Sequence, residues 1–372
     1  MGSAAQRIAA QAAVLREFGG DFKLETVHID APRAGEVLVC MGGSGICHTD
    51  LLMRTGFPVP LPIVLGHEGS GVVEAVGPGV KRVKPGDHVV LSFNSCQQCP
   101  SCLKSQPAYC HQMVEYNVSG LRRDGSSALS QDGAKIHANF FGQSSFATHA
   151  IAYEVNTVPV PKNLPLEILG PLGCGVQTGA GAAINALRLQ PGDSLAIFGG
   201  GGVGLSALLG ALAVGAGPVI VVEPNAGRAA LARELGAAHT IDPANSAHVL
   251  EEIKSLSGGG VTHAIDTTSI PEVVATAAES LLHNGMLGLL GFPRMDAMLQ
   301  LRMMSMFSRG IGLKYIMEGD SDPQEFIPRL AELYRDGRFP FDRLINKFRF
   351  TDINAAAHAA ETGEAVKPVL VF

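Results

Sequence analysis

Between Leu195 and Val222 the chain carries no charged residue, and Glu223 closes the run. About 20 apolar residues suffice to cross a bilayer, so length alone would allow a membrane span. The interior of the run argues against one. Four consecutive glycines, 199–202, would weaken a spanning helix by about 1 kcal/mol each relative to alanine. Pro218, just after Gly215 and Gly217, stands where a helix would be ending. The pattern predicts a short buried strand at Leu195–Phe198, a glycine turn, a small-residue helix over 203–214 and a β-branched strand at Val219–Val222.

Periodicity divides the rest of the chain into two styles. The first 170 residues or so hold short alternating runs, such as 36–40 and 71–76, separated by turn signals at Pro78-Gly79 and Pro85-Gly86-Asp87. They predict a β-rich, barrel-like domain. From about Cys174 strands and helices alternate. Strands are expected at His239–Ile241, 262–265, 286–290 and 311–313, and helices at 226–235 and 271–282. With the two strands flanking the glycine turn, this predicts a six-stranded, parallel, doubly wound sheet. Beyond residue 317 a helix over 323–334, a strand near 347–350, another helix and a last strand at 369–372 are expected to rejoin the first domain. The expected division is 1–173 with 318–372, and 174–317. The fold class is α/β.

Composition narrows the function classes. A chain of 372 residues exceeds one ordinary core, so two domains are expected. With 46% hydrophobic and 17% charged residues it reads as globular. A net charge of −6 with no Lys/Arg cluster excludes a nucleic-acid footprint. No segment reads as a membrane span, and residues 1–13 lack the apolar core of a signal peptide, so a cytoplasmic location is expected. Seven cysteines form an odd count, and four of them crowd into residues 96–110. In a reducing compartment such crowding points to metal.

Gly199, Gly201 and Gly204 form G-x-G-x-x-G, with Gly202 and Val203 inside the motif. The pattern is weak alone in a glycine-rich chain. Here a strand precedes it, a helix follows, and an acidic residue, Glu223, lies about 20 positions on, as dinucleotide binding requires. The helix N-terminus offers free N–H groups to a pyrophosphate. Glu223 would accept from a ribose 2′-hydroxyl and repel a 2′-phosphate, favouring NAD; Arg228 could contact the ribose without reversing that preference. Cys96, Cys99, Cys102 and Cys110 give C-x2-C-x2-C-x7-C. Four thiolates close a tetrahedral shell around zinc, which implies a structural role. An iron–sulfur cluster is the alternative, and His111 reads as a bystander.

Ligand-type residues also stand among glycines in Gly45-Ile46-Cys47-His48-Thr49-Asp50, Gly66-His67-Glu68-Gly69 and Gly170-Pro171-Leu172-Gly173-Cys174-Gly175. With the four-cysteine lobe and the glycine turn, and in this order, these motifs resemble the zinc-dependent medium-chain alcohol dehydrogenases over essentially the whole chain. Residues 170–183 look most like the aryl- or benzyl-alcohol dehydrogenase branch. The resemblance implies a GroES-like catalytic domain beside a Rossmann domain. It implies a catalytic zinc on Cys47, His67 and Cys174 with one open position, hence two zincs per chain. Asp50 would fix the tautomer of His67, while Glu68 would either ligate transiently or act as an electrostatic neighbour.

The resemblance further implies oxidation of a primary alcohol to an aldehyde with hydride transfer to NAD, and a proton relay starting at Thr49. A histidine that many relatives carry in that relay is Leu52 here, which leaves His48 as a candidate for the relay or for pyrophosphate contact. Thr178 and Val203 would face the nicotinamide, although core packing explains Val203 equally well. Lys367 would stand against the cofactor phosphates, or else on the solvated surface. Phe93, Phe140 or Phe141, Ile316 and Met317 would line a pocket suited to benzylic or allylic alcohols, although core packing explains any one phenylalanine as well. The nearest rival within the family is a short-chain-alcohol or formaldehyde dehydrogenase. A rival of another class is an inactive NAD-binding or sensing relative. A homodimer or homotetramer is expected.

Overall fold

The computed structural model describes residues 8–56, 59–246 and 248–372. Residues 1–7, on which part of the no-leader expectation rests, lie outside the described residues. Strands β1 (Ile8–Leu15), β2 (Lys23–Ile29) and β3 (Glu36–Gly45) lead into helix α1 (His48–Arg54), followed by β4 (Ile63–Val64), β5 (Glu68–Val76) and β6 (His88–Leu91). Helix α2 (Met113–Val118) precedes β7 (Leu129–Gln131), β8 (Ala134–Ile136), β9 (His149–Tyr153) and β10 (Thr157–Pro159). The chain then alternates: α3 (Gly175–Gly181), β11 (Leu195–Phe198), α4 (Gly202–Ala213), β12 (Val219–Val222), α5 (Ala226–Glu234) and β13 (His239–Ile241). Next come α6 (Val249–Ser257), β14 (Val261–Asp266), α7 (Pro271–Glu279), β15 (Leu281–Leu289), α8 (Met303–Arg309) and β16 (Gly312–Tyr315). Helix α9 (Pro323–Arg335), β17 (Ile345–Arg349), α10 (Ile353–Thr362) and β18 (Lys367–Val371) end the series.

Two compact units result, Met1–Cys174 with Asp322–Arg335 and Asp342–Phe372, and Gly175–Ser321 with Asp336–Phe341. The return to the first unit thus falls at Asp322 rather than 318. Residues 336–341 stay with the second unit, where Arg338 donates to the Ala213 carbonyl at 2.8 Å.

In the first unit one sheet runs β4-β1-β2-β7-β8, and the other β10-β6-β5-β3-β18-β17 with β9 also on β3. Valines and alanines at alternate positions of these strands, with Phe93, Phe140 and Phe146, fill a shared apolar core. Such short antiparallel strands keep one face in the core and leave the other to solvent.

The second unit is a six-stranded parallel sheet in the order β13-β12-β11-β14-β15-β16. The order reverses between β11 and β14, the place where doubly wound sheets bind ligands beyond their strand ends. Strands β11 and β12 are buried throughout and pair residue for residue from Leu195↔Val219 to Phe198↔Val222. The charge-free run is therefore a buried strand pair with its crossover helix α4, and no helix among the described residues is long and apolar enough to cross a membrane. Strand β15 begins earlier than the expected 286 because exposed Leu282, His283 and Asn284 hide its first half from any hydrophobic pattern.

Candidate active site and metal centres

Cys47 caps the N-terminus of α1 from an extended backbone, and its amide donates to Asp50 Oδ2 at 3.0 Å. Asp50 Oδ1 accepts from the Gly66 amide at 3.1 Å and lies 2.8 Å from His67 Nδ1, with Asp50 and His67 both fully buried. One carboxylate thus fixes the helix start, the turn at Gly66 and the imidazole. Gly66 has φ +88°, a left-handed value that suits glycine. Among the described residues, His67 Nε2 is buried and has no hydrogen-bond partner. An orphaned imidazole nitrogen of this kind normally has a partner. Around it, the ligand-capable atoms of Cys47, His67, Glu68 and Cys174 lie within 4.8 Å of one another. Cys47 sits at the N-cap of α1, His67 and Glu68 where β5 begins, and Cys174 at the end of the first unit's long N-terminal segment. The donor set fits zinc: two thiols and an imidazole, with the imidazole's far nitrogen held by a carboxylate.

The charges around the set are arranged to keep its sulfur anionic. A hydrogen bond with Cys174 outweighs burial and, with the charge of Lys367, holds the Cys47 thiol well below its ordinary pKa. Burial opposes a charge on His67, but Asp50 overcomes it and raises its pKa well above the usual range. Lys367 corrects an expectation. It is not on the solvated surface but buried, with Nζ 2.9 and 3.0 Å from the two oxygens of the fully buried Glu68. Burial works to lower its pKa, and Glu68 together with the thiolates of Cys47 and Cys174 more than reverses this, so the lysine stays charged. Gly45 makes room for the pair, because a Cβ there would sit 2.0 Å from Glu68 Oε2.

Of the expected relay residues, Thr49 is half-buried with Oγ1 3.9 Å from Cys47 Sγ. His48 is exposed and Leu52 half-buried. Phe141 stacks on the His67 ring at 4.5 Å and Phe140 meets it edge-on at 5.5 Å. Asn139, Phe141 and Ser144 all have positive φ (93°, 51° and 54°), a strained setting for a bulky phenylalanine. Phe93 lies in the first unit's core, whereas Ile316 is buried and Met317 exposed in the second unit.

Sequence reasoning missed Gln143. Fully buried, it donates to the His67 and Ser92 carbonyls at 2.9 and 3.1 Å and accepts from the Gly69 amide at 3.0 Å, bracing the backbone of the ligand histidine. Only the neighbouring glycine at 142 hinted at a special loop.

The four cysteines of the lobe have sulfurs within 4.8 Å of one another. Backbone amides point at the sulfurs, as in Cys99 N to Cys96 Sγ at 3.2 Å and Cys96 N to Cys110 Sγ at 3.3 Å. Such bonds from Cys102 and His111 pull the Cys99 thiol down to about 6. The His111 side chain is exposed. The cluster fits one zinc in a closed four-thiolate shell.

In the second unit Gly199 has φ +98°, and a Cβ at Gly204 would lie 1.9 Å from the Gly199 carbonyl oxygen, so α4 packs hard on the turn. A Cβ on Gly201 would meet nothing within 4 Å, which leaves the mouth of the turn open at the α4 N-terminus. Gly202 begins the helix, and Val203 is half-buried there rather than in the core. Glu223 is buried at the end of β12, accepting from the Gly200 amide at 2.6 Å and the Asn225 amide at 2.8 Å. The Arg228 amide donates to Asn225 Oδ1 at 3.1 Å, and its Nε is buried without a partner. Thr178 Oγ1 lies 3.5 Å from Glu318 Oε2.

A zinc-type ligand set on a β-rich unit, together with a glycine turn at the switch point of a parallel sheet, defines a zinc-binding dehydrogenase. Residues 33–162 match the alcohol dehydrogenase GroES-like domain and residues 202–333 the zinc-binding dehydrogenase domain. The chain belongs to the zinc-dependent medium-chain alcohol dehydrogenase family. It is 57% identical over 366 residues, 98% of each chain, to a geraniol dehydrogenase of Castellaniella defragrans. Among solved structures, an alcohol dehydrogenase zinc-binding domain protein from Burkholderia ambifaria superposes with a TM-score of 0.97 at 46% identity, covering 99% of this chain and 100% of that one. Benzyl alcohol dehydrogenase from Acinetobacter calcoaceticus does so with a TM-score of 0.95 at 42% identity, covering 98% and 99%.

Proposed function

We propose that this enzyme interconverts primary allylic or benzylic alcohols and their aldehydes with NAD, holding two zinc ions per chain. The observation that carries the reading is the buried Nε2 of His67, without a hydrogen bond, amid Cys47, Cys174 and Glu68. Cys47, His67 and Cys174 would hold the catalytic ion, and Cys96, Cys99, Cys102 and Cys110 the structural one. A bound zinc would supply a Lewis acid for the alcohol oxygen, and a bound nicotinamide would supply the hydride acceptor.

The chain's own residues do the remaining work. Asp50 fixes the proton on His67 Nδ1 so that Nε2 presents its lone pair. The Thr49 hydroxyl takes the proton released by the alcohol, and His48, exposed at the start of α1, is the candidate to pass it on. Glu68 and Lys367 form a neutral pair that keeps a third negative charge from the two thiolates. The amides of the glycine turn at the N-terminus of α4 receive the pyrophosphate. Glu223, already accepting from two backbone amides, favours a 2′-hydroxyl over a 2′-phosphate. Thr178, Val203 and Arg228 complete the proposed cofactor contacts. Phe140 and Phe141 offer aromatic faces beside His67, which suits flat, unsaturated alcohols.

The relatives' names, geraniol and benzyl alcohol dehydrogenase, support the same substrate class. An oligomer, a dimer or tetramer, is supported by the position of β16 at the edge of its sheet and by exposed Met303, Met304 and Phe307 on α8. Seven cysteines, none of them in a disulfide, suit the reducing cytoplasm. The test is NAD and NADP reduction with geraniol, benzyl alcohol, ethanol and glycerol, with zinc counted per chain. NAD-linked turnover highest on geraniol or benzyl alcohol is expected. Ethanol as the best substrate, or preference for NADP, would overturn the substrate or cofactor assignment respectively.

A further inference from the structure

Outside the two centres described, a third group of ligand-type side chains converges. Cys40, Glu74 and His149 stand on three adjacent strands, β3, β5 and β9, with ligand-capable atoms within 4.8 Å of one another. We propose that they form an exchangeable surface site for a transition-metal dication of the zinc class, separate from both cysteine centres.

The register of the sheet builds it. Cys40 on β3 lies directly opposite His149 on β9, which brings their Cβ atoms to about 5 Å. On the other flank Leu38 pairs with Ala75 and Val39 with Val73, leaving Glu74 as the extra residue of a bulge. A bulge re-aims a side chain. Here the Glu74 carboxylate comes within 3.1 Å of His149 Nε2.

The far side of the imidazole is also provided for. His149 Nδ1 lies 3.1 Å from the Thr148 hydroxyl, whose oxygen accepts the Gln11 amide proton. An imidazole that ligates through Nε2 carries its proton on Nδ1, and Thr148 Oγ1 stands ready to accept it. That is the outer partner that orients metal-binding histidines. A His–Glu ion pair alone accounts for two of the three residues and leaves Cys40 without a role.

The donors choose the class of ion. Calcium and magnesium take oxygen ligands, whereas one sulfur, one nitrogen and one carboxylate oxygen suit zinc, cobalt or nickel. Cys40 is the exposed member of the seven cysteines, and Glu74 is exposed as well. The ion is therefore reached from solvent and completes its shell with water.

The test uses the zinc-replete enzyme. Metal is counted per chain after equilibration with excess Zn²⁺ and desalting. Iodoacetamide labelling of Cys40 is followed by peptide mass spectrometry with and without added Zn²⁺. Wild type is expected to hold about one more Zn²⁺ per chain than His149→Ala. Zn²⁺ should slow labelling of Cys40 about tenfold in wild type, by removing the free thiolate, and not in His149→Ala. Thr148→Val should weaken Zn²⁺ binding about tenfold. Co²⁺ should give thiolate charge-transfer absorption that is lost in Cys40→Ser. Equal metal counts, with labelling indifferent to Zn²⁺, would overturn the site and leave an ordinary His–Glu pair. Glu74→Gln, at an exposed position, carries the same comparison should His149→Ala fail to fold. None of these readouts depends on alcohol turnover.

Discussion

The four-cysteine lobe draws every ligand from residues 96–110, and its sulfurs are satisfied by backbone amides of the same loop. The centre at His67 gathers Cys47, His67 and Cys174 from three distant segments and surrounds them with side chains instead: Asp50, Glu68, Lys367 and Phe141. The first can assemble its four sulfurs with little help from the rest of the fold. The second exists only once several strands have met, and its chemistry is tuned by charges that a loop of fifteen residues could not supply. Local ligation suits stability, and distributed ligation suits a site whose protonation and access must be set independently.

The sharpest way to break this contrast is to remove one thiol from each centre. Cys174→Ser should lower turnover by at least about 10³-fold, since an ion there supplies several kcal/mol. Its thermal midpoint should stay near wild type, and about one zinc per chain should remain. Cys99→Ser should do the reverse, losing the lobe's ion and thermal stability while the ligands at His67 keep theirs. Zinc analysis and calorimetry of the two variants decide it, and equal loss of activity and stability in both would erase the distinction.

The next largest effect belongs to the buried ion pair. Lys367→Met strands Glu68 in a fully buried setting and should cost about 3–5 kcal/mol in unfolding free energy. Pairing it with Glu68→Gln should recover most of that loss, which denaturant titration measures. A smaller effect follows from Asp50→Asn, which leaves the shape but weakens the hold on the His67 tautomer. Zinc affinity at the open centre should fall about 10- to 100-fold by competition with a chelator, with the lobe unaffected. The smallest is His111→Ala. Only its backbone amide reaches Cys99, so metal content should be unchanged and stability within about 0.5 kcal/mol of wild type.

How much of this was legible in the sequence follows the same divide. Strands β11 and β12 were readable to the residue, because buried parallel strands are unbroken apolar runs bounded by glycine or proline. The lobe was readable from spacing alone. At the open centre no spacing links Cys47, His67 and Cys174, and only resemblance joined them. The partner of Lys367 was not readable, because a lysine at the start of a strand carries no mark of the carboxylate it will face. Gln143 and the group at Cys40 were invisible for a related reason. Both depend on register between strands and loops, including a one-residue slip at Glu74, which no linear pattern records.

The pair of Glu68 and Lys367 has a consequence for the order in which the molecule can be made. The two residues are 299 positions apart. At ribosomal rates of about 5–20 residues per second, the carboxylate therefore emerges roughly 15–60 s before its cation. Throughout that interval the strand β18, which pairs with β3 at Gly45, is also missing. A nascent chain can fold its four-cysteine loop early, but the neighbourhood of His67 must wait, holding a charge that opposes burial. Were both centres to hold zinc, synthesis would therefore favour loading the four-cysteine centre before the one at His67.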